Sequence, residues 1–69
     1  MMKIKLSEAA QANVDETGID PADDIAALRS GAQTRETLLA HCLDGAAPNR
    51  VRGWREYVDA VISAAELDP

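Results

Sequence analysis

Apolar residues recur at steps of three and four along most of this chain, and the clearest run is the last. Val51, Trp54, Val58, Val61 and Ala65 follow that spacing, with Tyr57 and Ile62 widening the stripe. It places them on one side of a 3.6-residue helix and predicts a helix over residues 49–67. Burying such side chains contributes about 1.5–3 kcal/mol each, so this helix is expected to be the main source of core stability. Gly53 falls in its opening turns, where glycine costs about 1 kcal/mol relative to alanine. A close approach by another helix, or a late helix start, would account for it.

Glycines and prolines divide the remainder at Gly18, Pro21, Gly31, Gly45 and Pro48. Ser7 can cap a first helix over residues 8–17, with Glu8 near its positive end and Gly18 ending it. Its apolar face, Ala9, Ala10 and Val14, is thin. Asp20 is a good N-cap for a second helix, and Pro21 suits its first position, where no N–H is needed. Asp23 and Asp24 complement the dipole in the same turn, and the helix presents Ile25 and Leu28 before stopping at Ser30-Gly31. Thr34 caps a third helix over residues 35–44, whose apolar face is Leu38, Leu39, Cys42 and Leu43. Lys3-Ile4-Lys5-Leu6 alternates like a strand but has no obvious mate in the chain. Residues 1–6 therefore read first as a flexible or extended N-terminal arm, with an early extension of the first helix or a short strand that pairs only with another chain as the alternatives. Residues 68–69 read as a frayed tail. The expected fold is all-α: one domain over residues 1–69, a small bundle of three to four short helices.

Size makes such a core marginal. A chain of 69 residues buries only about 60% of its unfolded surface, and domains this small commonly recruit a staple. A single cysteine, Cys42, excludes an internal disulfide and a multi-cysteine zinc site. A second subunit or a partner is the staple that remains, and a homodimer docking through the last helix is one expectation. The opening MMKIKLSEAAQ has no apolar signal-peptide core and no run reaches membrane-spanning length, which points to a cytoplasmic protein.

Charge sharpens the picture. The net charge is −5, from 12 acids against 7 bases. Glu8, Asp15, Glu16, Asp20, Asp23 and Asp24 lie between Leu6 and Leu28 with no base among them, while Arg50, Arg52 and Arg55 cluster near the start of the last helix. An acidic domain is poorly suited to phosphate neutralisation, so nucleic acid is not the expected partner. A polarised molecule of this kind is suited to meeting a protein with a basic surface.

No spacing in the chain supports chemistry. His41 and Cys42 are neighbours on a helix and point about 100° apart, too far to act as a base and nucleophile pair. One Cys and one His do not supply a zinc site, and residues 20–24 lack calcium-loop spacing. There is no phosphate-cradling glycine loop, nucleophile elbow or dinucleotide fingerprint. Neither an enzyme nor a cofactor is expected.

The candidate working surface is the patch from 52 to 57. Trp54 reads as core, and Tyr57 with Arg50, Arg52 and Arg55 reads as the rim of a partner-binding surface, since aromatics and arginine are enriched at interface hot spots. Asp20, Asp23 and Asp24 form the acidic counterpart. The leading expectation is a small acidic inhibitor or adaptor that covers a basic surface on another protein. The alternative is a compact helix-turn-helix-like DNA-binding regulator, with the three arginines at the start of its recognition helix. The connection from Asp44 to Pro48 is long for that motif, and Asp44, Glu56 and Asp59 dilute its positive charge. In size, charge and helix content the chain resembles the small inhibitors encoded by phages and mobile elements, anti-CRISPR proteins among them. That resemblance is compositional and implies an inhibitory, protein-binding role without assigning any residue to it.

Overall fold

The computed structural model describes residues 4–67. Four α-helices follow one another: α1 (Glu8–Thr17), α2 (Pro21–Ser30), α3 (Arg35–Leu43) and α4 (Val51–Leu67), with one 3-10 turn, Pro48–Arg50, ahead of α4. No strand occurs among the described residues. The fold is therefore all-α, a four-helix bundle of short elements. Residues 1–3 and the tail at 68–69, expected to fray, lie outside the described residues.

Local chemistry sets the boundaries. The Ser7 hydroxyl accepts the Ala10 N–H and Asp20 accepts the Ala22 N–H, so each caps its helix where the sequence suggests. Thr34 and Thr37 close a reciprocal capping box at the start of α3. Gly18 and Gly31 take left-handed φ angles of 72° and 84°, satisfying carbonyls at the ends of α1 and α2.

Two boundaries differ from the pattern reading. α3 ends at Leu43 because Asp44 turns extended and Gly45 follows in the left-handed region, with φ of 74°. The last helix is α-helical only from Val51, because Pro48 first closes a tighter turn. Residues 4–7 are non-helical, as expected of an arm. Even so, Ile4 and Leu6 pack against the core, so this part of the arm lies on the bundle.

The core is Ala10 and Val14 from α1, Ile25 from α2, Leu38 from α3, and Trp54, Tyr57, Val58 and Val61 from α4. Each of the three shorter helices makes its main packing contacts with α4. α4 is thus the hub, and its stripe is covered from three sides within one chain.

Gly53 marks the closest of these approaches. A Cβ there would lie 2.5 Å from Asn13 Nδ2 and 2.7 Å from the Ala9 carbonyl oxygen. Glycine at this point lets the α1 backbone reach α4 with no side chain between them. Both explanations the sequence offered for it hold, since the helix also begins only two residues earlier.

Candidate functional site

α4's stripe fixes the two aromatic residues. Trp54 is 8% exposed and Tyr57 0%, and their rings meet edge to face with centroids 5.6 Å apart. Trp54 is core, as the sequence suggested. Tyr57 is not a rim residue: its position on the same stripe sends it fully inside, and its hydroxyl donates to the Asp24 carboxylate. Burial, followed by the adjacent Asp24 carboxylate, pushes the Tyr57 hydroxyl far above its ordinary value.

That bond gives Asp24 a second role. It stands in the first turn of α2, where it complements the helix dipole, and is half-buried against Tyr57. Asp20 is exposed and occupied as the N-cap, while Asp23 is exposed and makes no ion pair among the described residues.

The arginines separate in the same way. Arg50 ends the 3-10 turn, where its guanidinium donates to Glu16 and, at 3.4 Å, to Asn13 Oδ1. Asn13 returns its own amide hydrogen to the Arg50 carbonyl at 3.0 Å. Arg52 is exposed and pairs with Glu56 at 3.1 Å, and Glu56 also accepts the Ser7 hydroxyl at 2.5 Å. The Ser7 and Arg52 hydrogen bonds hold the Glu56 carboxyl below its usual value. Arg35 pairs with Asp59 at 2.7 Å. Arg55 is exposed and without an ion pair among the described residues.

Around this frame runs a cleft of about 480 Å³. It lies where the end of α1, the start of α2, the end of α3 and the 44–50 connection meet. Ile19, Leu38 and Trp54 give it apolar walls, Glu16, Asp24 and Asp44 line it with carboxylates, and Arg50, His41, Cys42 and Asn13 complete much of the rest. Of the eight residues singled out in the sequence, it gathers Asp24, Arg50 and Trp54. Tyr57 stands behind Asp24. Arg52, Arg55, Asp20 and Asp23 are outside the lining.

Pattern reasoning missed Asn13, which is 2% exposed and ties α1 to the start of α4. The signal was available: Asn13 falls on the 10, 13, 14 spacing of α1's buried face, where an amide needs an internal partner. Glu16 and Asp44 carried no comparable signal, because their places in the cleft depend on how three helices meet.

The chemistry available here is limited. The Cys42 thiol is pushed up to about 11, first by burial and then by the Asp24 charge, so it is a poor nucleophile at neutral pH. Among the described residues no group of three or more His, Cys, Asp or Glu side chains is placed to hold a metal ion. No helix among them is long and apolar enough to cross a membrane. No protein family, curated protein or solved structure matches the chain.

Proposed function

We propose that this protein is a non-enzymatic binding module, an inhibitor or adaptor that docks its acidic N-terminal half on a basic surface of another protein. One observation carries the reading: three of the arginines are held in ion pairs within the chain while carboxylates on α1 and α2 stay exposed and, among the described residues, unpaired. Arg50, Arg52 and Arg35 face Glu16, Glu56 and Asp59, whereas Glu8, Asp15 and Asp23 are exposed with no ion pair among the described residues. A surface with that balance attracts cationic partners and repels phosphate.

The DNA-binding alternative loses support on the same ground. Two of its three arginines would have to leave a carboxylate before meeting a phosphate, and each released acid would oppose binding. Self-association through the α4 stripe would require the shorter helices to leave it.

Affinity capture from the source cells tests the proposal, with Asp15→Asn/Asp23→Asn as the comparison. These positions are exposed and neither caps a helix, so the fold should survive the change. The expected result is a basic protein retained by the wild type, released by raised salt and lost by the variant. Salt-sensitive binding of duplex DNA, abolished by Arg52→Ala/Arg55→Ala and untouched by the aspartate changes, would refute it.

A further inference from the structure

We propose that the cleft beside Trp54 is the socket for one arginine side chain of that basic partner. This rests on the protein-binding reading above and names the contact at its centre.

The cleft is large enough: about 480 Å³ falls within the roughly 300–1,000 Å³ range of small-ligand sites. Its lining calls for an occupant with two properties. Ile19, Leu38 and Trp54 form apolar walls, of which Ile19 is half-buried and Trp54 keeps 8% of its surface open, and a guest with an apolar stem removes that remaining surface from water. Glu16, Asp24 and Asp44 share the same lining with a single guanidinium, Arg50, and that guanidinium is already engaged by Glu16. A purely apolar guest would strip water from carboxylates and give nothing back. An anion would meet three carboxylates. A metal ion finds no suitable ligand group among the described residues. A flexible apolar stem ending in a cation satisfies both properties, and an arginine side chain has that form.

Arginine fits better than lysine on two counts. Its planar fork can be shared between carboxylates, and it stacks on aromatic rings such as the Trp54 indole. One of those carboxylates is fixed in advance. Asp24 Oδ2 accepts the Tyr57 hydroxyl, which anchors the carboxyl group and leaves Oδ1 to receive a guest. Tyr57 therefore acts here as a positioning residue. Asp44 is exposed at the end of α3, and its side chain makes no hydrogen bond or ion pair with another described group. It is free to close over a cation.

The test is a two-dimensional amide and indole NMR titration of the intact chain with a short arginine-rich peptide. The matched peptide carrying citrulline, the neutral isostere, is the control. The expected result is saturable shifts of the Trp54 indole and the 44–47 amides with arginine and none with citrulline. Asp44→Asn should weaken binding by about three- to fivefold, as for a partly exposed ion pair. Ala47→Phe, which adds bulk at an exposed lining position without changing charge, should abolish it. If arginine peptide shifts only exposed α1 and α2 residues, and neither variant alters its affinity, the socket is overturned while the acidic docking surface stands. If the peptide shifts nothing, both fail.

Discussion

Gly53→Ala separates packing from propensity more sharply than any other change in this chain. Helix propensity alone favours alanine by about 1 kcal/mol. The surroundings oppose it: the new methyl would sit 2.5 Å from Asn13 Nδ2, 2.7 Å from the Ala9 oxygen and 3.0 Å from the Ala9 carbonyl carbon. Two of those atoms are helix backbone and cannot rotate away, so α1 must move off α4. Overpacking of this kind costs about 1–3 kcal/mol, and backbone obstruction belongs at the upper end. The displaced Asn13 amide also donates to the Arg50 carbonyl, and losing that bond adds about 0.5–1.5 kcal/mol. The net expectation is destabilisation of about 1.5–3 kcal/mol. That is a large share of the roughly 3–10 kcal/mol available to a domain of this size. Urea unfolding followed by far-ultraviolet circular dichroism and Trp54 fluorescence measures it, and the melting temperature should fall by at least about 6 °C. Ala26→Gly, at an exposed position on α2, serves as the propensity control and should cost about 1 kcal/mol. A Gly53→Ala midpoint equal to or above the wild type would show that α1 does not cross α4 at this residue.

Two further outcomes follow from the buried polar groups. Tyr57→Phe removes the hydroxyl that Asp24 accepts and should destabilise the fold by about 1–3 kcal/mol in the same urea assay, against no measurable loss if the bond is absent. Cys42 should react slowly with a disulfide reagent at pH 8 when folded. A thiol shifted from 9.0 to about 11 carries on the order of a hundredfold less thiolate than an ordinary one, and reaction as fast as in urea would contradict its burial. The same shift gives stability a pH dependence. Cys42 and Tyr57 are neutral when protonated, and folding raises both values, so the folded chain holds these protons to higher pH than the unfolded chain. The Cys42 contribution is complete below pH 9 and is lost as pH rises through about 11, and the Tyr57 contribution is lost only at higher pH still, so the urea midpoint should stay level on that account up to pH 9 and decline above it.

Most of the fold was legible because it is written in local chemistry. Ser7, Asp20 and Thr34 are residues whose side chains compete for helix N–H groups, and Pro21 and the glycines restrict where a helix can begin or end. The α4 stripe was equally plain from its spacing. Fine boundaries were less so: Pro48 favours a turn, but only the closing of the 3-10 hydrogen bond from the Arg50 N–H to the Ala47 carbonyl delays the α-helix to Val51. The candidate site was legible in part. Trp54 could be placed inside from its spacing, and the same spacing placed Tyr57 inside, although its hydroxyl and arginine neighbours suggested a rim. What decides is the half-buried Asp24 thirty-three residues away, and no pattern in one sequence links those two positions. The Arg50–Glu16 pair and the Asp44 side of the cleft belong to the same class, since they depend on contacts between elements that no periodicity records.

The cleft follows from the way this small chain builds a core. Three helices of nine or ten residues are too short to be stable alone and must each find an apolar partner. α1 and α2 offer thin faces, while α4 offers a stripe along 17 residues. All three therefore pack chiefly on α4, and little apolar surface remains with which they could pack on one another. Where their ends converge, the space between them is walled by Ile19, Leu38 and Trp54 and edged by the 44–50 connection and by polar side chains. A concavity floored by the hub's tryptophan and edged with carboxylates is the geometric remainder of that arrangement. Filling it with larger apolar residues would stabilise the monomer, yet Asp24 and Asn13 are spent on holding its walls in place through Tyr57 and Arg50. Polar groups that fix the shape of an open cleft, in a domain with so little core to spare, are the strongest physical reason to look there for the contact of the proposed partner.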